Sequence, residues 1–228
     1  MFVGKIIAID GPAGAGKSTI ARRVAARLGF TFIDTGAMYR ALALWALRQN
    51  LDPSDPHRME PLALAADIAL DPANACVYLN AEDVTEDIRT PAVSDAASRV
   101  AAIPAVRRAM VEKQRAIAAS QNVVMEGRDI GTVVFPQANV KIFLDANPDT
   151  RVERRQLQTG GARPQIADEI AERDRRDSTR SDSPLAQAPD AVYVDSTQLT
   201  LEEAEEAVLR LVRERISNGK DYRDHNRP

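Results

Sequence analysis

The sequence predicts an α/β fold in which a parallel sheet is flanked by helices, and three observations carry that prediction. The first is Lys5-Ile6-Ile7-Ala8-Ile9-Asp10, an apolar run of buried-strand type, which leads through a glycine-rich stretch to Thr19–Leu28, where Ile20, Val24 and Leu28 recur at helical spacing. The second is the return of short strand runs at Thr31-Phe32-Ile33, Asn122 to Met125, Val140 to Asp145 and Ala191 to Asp195, separated by segments of helical pattern. The third is a break in that alternation between about residues 60 and 102, where turn-separated runs predict a small antiparallel sheet inserted into the main fold.

Composition bounds the partners. The 228 residues suffice for a sizeable core in one domain with inserted lobes. A net charge of −3 and a pI near 5.6 argue against a nucleic-acid surface driven by bulk charge. Cys76, the single cysteine, has no internal partner for a disulfide, which fits a reducing compartment. No apolar run approaches the ~20 residues of a membrane span and no apolar leader opens the chain, so a cytoplasmic protein without membrane or nucleic-acid partners, and a monomer, is expected. His57 and His225 share no ligand spacing with the cysteine, and no zinc site is expected.

The glycine-rich stretch, Gly11-Pro12-Ala13-Gly14-Ala15-Gly16-Lys17-Ser18-Thr19, fills every slot of the phosphate-loop pattern G-x-x-x-x-G-K-[ST]. The glycines let backbone N–H groups turn inward on a phosphate chain at the positive end of the next helix. Lys17, read as an exposed loop lysine, is placed to reach β- and γ-phosphates, and the Ser18 hydroxyl to ligate Mg²⁺. A plain glycine turn accounts for the glycines but not for Lys-Ser at this offset between strand and helix.

After the second strand run come Asp34, Thr35 and Arg40, at an edge where ligands collect in open α/β sheets. Asp34 or Thr35 fits a helix cap equally well, whereas Arg40 is placed to hold a second anion. Leu51 to Pro61, rich in Asp and Pro, reads as a boundary or linker. Runs at Ile68–Leu70, Val77–Leu79 and about Val84 are separated by turns at Asp71 to Asn74 and Asn80 to Asp83. Pro91 and Pro104 open two helices, and Ser98 and Arg107, which also suit a polar helix face, flank the corner between them.

The strand ending at Met125 delivers Glu126, Arg128 and Asp129. Glu126 suits Mg²⁺ through water; Arg128 and Asp129 suit either a ligand or each other. Asn147-Pro148 is an N-cap with proline at the first helical position. Arginine then dominates, with Arg151, Arg154, Arg155, Arg163, Arg173, Arg175, Arg176 and Arg180, interrupted at Thr159-Gly160-Gly161 in the manner of a lid. Interspersed acids make a solvated helix the alternative for about half of them. Thr200 and Glu203 form a capping box for the closing helix, and a polar, frayed tail is expected over 217–228.

A loop for one nucleotide, arginines for a second phosphate, an insert and a lid make a kinase acting on a small phosphorylated substrate. A switch GTPase would need Asn-Lys-x-Asp and Asp-x-x-Gly, and neither string occurs. From Ile6 to about Ile216 the chain resembles the bacterial cytidylate kinases, through GPAGAGKST, DTGAMYRALAL, EDIRT, SDAASRVAAIPAVR, EGRDIGTVVFPQA, KIFLDA, ERDRRDSTR and VDST in that order. Thr35 stands where many members have serine, Ser18 where some have glycine and Glu126 where some have aspartate; each keeps or supplies an oxygen.

The resemblance implies a P-loop nucleoside monophosphate kinase fold that transfers the γ-phosphate of ATP to CMP or dCMP. It implies one kinase domain with core 1–59, 103–150 and 181–216, a monophosphate-binding insert at about 60–102, a lid at about 151–180 and the tail. It places Thr35, Arg40, Arg128 and Arg180 at the CMP phosphate, Arg173 and Asp177 about the ribose, and Ser98, Arg107 and Asp129 at cytosine. Catalysis would fall to Lys17, Mg²⁺ and the closing arginines Arg128, Arg151, Arg155 and Arg180. The alternatives are another small-molecule kinase on this scaffold and a non-catalytic ATP-binding regulator.

Overall fold

The computed structural model describes residues 4–71 and 75–224, with side chains through residue 216. Strand β1 (Ile6–Asp10) is almost wholly buried and turns through the glycine loop into helix α1 (Lys17–Leu28). Strand β2 (Thr31–Asp34) leads straight into α2 (Thr35–Arg48), because the Asp34 carboxylate accepts from the Ala37 N–H and caps the helix.

Where Leu51 to Pro61 reads as a linker, the structure has helix α3 (Pro56–Ala65), which also straddles the residue at which the insert was expected to begin. Asp55 caps it through the His57 N–H, and Pro56 stands in the first turn, where its missing N–H costs nothing. Pro61 removes one internal hydrogen bond, yet Met59, Leu62 and Ala63 are buried in a shared core, and that burial prevails over a composition that reads as loop.

Strands β3 (Ile68–Asp71), β4 (Cys76–Leu79) and β5 (Glu82–Asp83) form the expected antiparallel sheet, paired Ile68 to Leu79 and Tyr78 to Asp83. Of the first expected turn, residues 72–74 lie outside the described residues. In the second, Asn80 and Ala81 take positive φ of 50° and 67°, the twist a tight hairpin requires. A 3-10 turn at Asp87–Arg89 precedes α4 (Pro91–Val100), capped by Thr90, and α5 (Pro104–Ala118).

Strand β6 (Val123–Gly127), a single π-helical turn at Ile130–Val134 and strand β7 (Val140–Asp145) return the chain to the main sheet. Helix α6 (Pro148–Thr159) is capped by Asn147 as expected, and α7 (Arg163–Thr179) folds back on it. Strand β8 (Val192–Asp195) precedes α8 (Leu201–Asp224), entered through the Thr200–Glu203 capping box. The helix continues through much of the stretch expected as a frayed tail, since no proline interrupts it before Asp224; residues 225–228 lie outside the described residues.

The five main strands run parallel in the order β2-β6-β1-β7-β8. One core packs β1 and β7 against α1 and α8 on one face, and another covers the opposite face with α5 and the π-helical turn. A third runs without interruption from α2 through α3, β3, β4 and α4 into α5. A separate, small cluster of Val152, Ile166 and Ile170 joins α6 to α7. No helix among the described residues is long and apolar enough to cross a membrane. The register sets Ile9 beside Glu126 and Asp34 beside Glu126, so the carboxyl ends of β1, β2 and β6 gather three acids at one sheet edge.

Candidate active site

The phosphate loop leaves the central strand at that edge. A Cβ on Gly11 would fall 2.0 Å from the Leu144 carbonyl oxygen, and Gly14 holds a φ of 77° with its Cα pressed toward the Arg151 carbonyl, so neither position admits a side chain. Helix α1 begins with neither a capping side chain nor an acid in its first turn, which leaves its first N–H groups free for an anion. Ala13, Gly14, Gly16, Lys17, Ser18 and Thr19 line a cavity of about 630 Å³, while Pro12 and Ala15 lie buried behind them.

Lys17 is not the exposed loop lysine expected. It is 5% exposed and its Nζ donates to the Pro12 carbonyl at 2.7 Å. Burial, with Arg128 and Arg173 nearby, pulls its pKa down to about 7 against the opposing pull of Glu126.

Beside it the Ser18 hydroxyl donates to Glu126 Oε1 at 2.6 Å. Burial and the neighbouring Asp34 charge push the Glu126 carboxyl up. Asp34 is held below the usual range although burial opposes it, because Arg40 at 3.0 Å, the Ala37 N–H and Glu126 all favour its charge. A hydroxyl and buried carboxylate oxygens are hard donors of the kind Mg²⁺ takes. No group of three or more His, Cys, Asp or Glu able to hold a metal occurs among the described residues, so such an ion would rely on water and phosphate for its remaining ligands. Thr35, also buried, donates to the Glu126 carbonyl at 2.7 Å and lines the cavity with Arg40.

Ser98, Arg107 and Asp129, separate in sequence, all line this same cavity. Arg107 is 2% exposed and Asp129 5%; Arg107 Nη2 donates to Asp129 Oδ2, and Nη1 donates to the Ala101 carbonyl at 3.2 Å. Arg128 and Asp129 do not pair with each other. The Ser98 hydroxyl, on α4 and 6% exposed, and the Arg107 Nε–H have no hydrogen-bond partner among the described residues. Asp129 is aimed by Asp10, a residue the sequence reading treated only as the end of a strand: its two oxygens accept from the Ile130 and Gly131 N–H groups at 2.8 and 2.7 Å. Burial pushes the Asp10 carboxyl up to about 6 in spite of those two bonds.

The lid arginines divide. Arg128 Nε donates to Asp177 Oδ2 at 2.8 Å, and Arg180 lies 3.8 Å from the other oxygen of the same carboxylate. Arg173 is brought down to about 10 by burial and Arg128; Arg155 is lowered by burial and Arg40. Neither side chain donates a hydrogen bond among the described residues, and both line the cavity, so this wall carries positive charge in excess of its acids. Arg151 is placed differently from the cavity arginines: it donates to the Ala13 and Ala146 carbonyls and pairs with Asp174, which accepts from the Ala13 N–H at 3.2 Å. In the sequence Arg154 and Asp174 stand only as members of a charged run and Tyr39 has no role; the partners of Arg154, which are Ala15 and Ser196, are too distant along the chain for spacing to reveal them.

The chain that carries this site matches known proteins over nearly its whole length. The chain is 64% identical over 224 residues to a cytidylate kinase of Solibacter usitatus, covering 95% of this chain and 96% of that one. It is 49% identical to a cytidylate kinase of Pelotomaculum thermopropionicum, with 94% and 96% covered. Among solved structures, a gluconokinase from Sinorhizobium meliloti shares the fold with a TM-score of 0.51 and 16% identity over 97% of this chain and 98% of that chain. The cytidylate kinase family model matches residues 7–214, and this chain belongs to that family.

Proposed function

We propose that this chain transfers the γ-phosphate of ATP to CMP or dCMP, giving CDP or dCDP. The observation that carries the reading is the buried Arg107–Asp129 pair beside the unpartnered Ser98 hydroxyl, across one cavity from the phosphate loop. Cytosine presents an amino donor at N4 beside acceptors at N3 and O2, and a carboxylate, a forked cation and a hydroxyl are its complement.

In this reading the loop from Gly11 to Thr19 cradles the ATP phosphates and Lys17 takes the β- and γ-oxygens, regaining the charge that burial disfavours. Ser18 and Glu126 would hold Mg²⁺, which would supply neutralisation of phosphate charge when bound. Thr35, Arg40, Arg128 and Arg180 grip the CMP phosphate, and Arg173 and Asp177 meet the ribose. Arg155 and the other cavity arginines spread positive charge over the transferring group and exclude water; positioning and charge are the whole of the catalysis, and no side chain acts as nucleophile. The contacts of Arg151 favour a role in fixing the loop at Ala13. The division into core, insert, lid and tail is retained, with α3 at the start of the insert. We assign the protein to the cytoplasm as a monomer without nucleic-acid or membrane partners.

The test is ADP release with Mg-ATP across CMP, dCMP, UMP, AMP and shikimate. Turnover is expected with CMP and dCMP well above the others; equal or greater turnover with any other acceptor refutes the assignment.

A further inference from the structure

We infer that Tyr39 is a specificity-determining positioning residue, whose ring face fixes the plane of Arg107 so that one oxygen of Asp129 stays free for the base. The inference rests on the reading above, in which Arg107 and Asp129 recognise cytosine.

A guanidinium tends to meet a carboxylate bidentately, with two parallel N–H···O bonds. Arg107 does not. Its Nη2 takes Asp129 Oδ2 alone, its Nη1 is drawn aside to the Ala101 carbonyl, and its Nε–H has no partner among the described residues. In-plane bonds to a single carboxylate oxygen and one carbonyl leave the guanidinium a low-resistance swivel into the forked arrangement, which would claim both Asp129 oxygens.

What opposes that swivel is the Tyr39 ring, whose centroid lies 5.7 Å from Arg107 Cζ. A ring face attracts a cation, the more so where water is excluded, and Arg107 is 2% exposed. Tyr39 is itself immobilised: it stands on α2 beside Met38, Ala41 and Leu42, all fully buried, and is 9% exposed at the cavity wall. Its neighbour in sequence, Arg40, serves the phosphate end of the same cavity. One turn of α2 thus sets both the anion-binding guanidinium and the base-reading one.

The test is the ratio of kcat/KM for CMP to that for UMP in the wild type, Tyr39→Phe, Tyr39→Leu and Asp129→Asn. Leucine removes the ring face and is expected to lower the ratio about tenfold, chiefly through CMP, whereas phenylalanine keeps the face and holds the ratio within about threefold of wild type. Equal losses on both substrates in Tyr39→Leu overturn the inference, because a merely structural role moves both alike. A collapse in Tyr39→Phe equal to that in Tyr39→Leu also overturns it, since the hydroxyl would then be the operative group. If Asp129→Asn lowers the ratio while Tyr39→Leu does not, Tyr39 alone is wrongly assigned; if Asp129→Asn leaves the ratio unchanged, the base-reading assignment beneath it falls. Should the leucine variant fail to fold, Tyr39→Met, unbranched and ringless, takes its place in the same comparison.

Discussion

Asp10 makes the protein's stability depend on pH in a direction opposite to that set by Asp34 and Asp177. Its carboxyl stands at about 6 in the folded chain against an ordinary value of 3.8. A group raised on folding contributes stability that is complete below its unfolded pKa and is lost as pH rises through the folded one. The rise corresponds to about 3 kcal/mol, withdrawn steadily between about pH 4 and pH 6. Asp34 and Asp177, held below the usual range, act with the reverse sign and lose their contribution as pH falls, so the whole protein's curve mixes the two.

Asp10→Asn isolates the effect. The amide cannot ionise, and it offers one acceptor to the two N–H groups of Ile130 and Gly131, so the variant is expected to lose about 1 to 3 kcal/mol at low pH for the donor left unpaired. Denaturant titrations of both proteins at pH 4.5 and 7.5 should show the wild type's advantage shrinking by about 2 kcal/mol as pH rises. An advantage that stays constant between those values, or grows with pH, refutes burial as the dominant influence on Asp10.

Lys17→Ala is expected to lower turnover with Mg-ATP by about a hundredfold or more, while the thermal midpoint holds or rises, because the ammonium is buried among arginines at a cost; undiminished turnover would remove Lys17 from the mechanism. Gly14→Ala would place a methyl 2.8 Å from the Arg151 carbonyl at a φ of 77°, and a loss of about 2 kcal/mol by chemical denaturation with weakened ATP binding is expected. Wild-type stability and affinity in that variant would show that the loop has room to spare. Amides of α7 should exchange more slowly with ATP and CMP both bound, as Arg173 gains the ribose and Arg180, at the helix end, a phosphate; exchange rates identical to the free protein's would contradict a lid.

Local chemistry was readable in the sequence; distant pairing was not. The phosphate loop, the Asn147 and Thr200 caps and the antiparallel insert announce themselves through residues only a few positions apart, which is the range over which spacing constrains geometry. Helix α3 was obscured by Pro56 and Pro61, whose local meaning as breakers yields to burial of Met59 in a core supplied by α2 and α5. Asp10, by contrast, looks like the last residue of a strand until β6 is laid beside β1 and the chain after Asp129 comes within its reach. The burial of Lys17 and the stacking of Tyr39 on Arg107 likewise depend on segments more than sixty residues away. Family resemblance supplied the meeting of Ser98, Arg107 and Asp129; patterning alone left Ser98 and Arg107 fitting a polar helix face and Asp129 fitting a pair with Arg128.

The α6–α7 hairpin carries its own miniature apolar cluster, and every directional tie described between it and the rest of the molecule is polar: Arg128 to Asp177, Asp95 to Arg176, Ala13 to Asp174 and Arg151, and Ser196 to Arg154. As the lid proposed above, the hairpin would work as a drawbridge on electrostatic catches. Dissolved ions compete for each catch, whereas the apolar contacts of Val152, Ile166 and Ile170 lie within the hairpin and are tightened by salt if anything. Ionic strength should therefore act as the throttle on opening, with α7 amides exchanging faster in added salt while those of β1 and β6 do not respond.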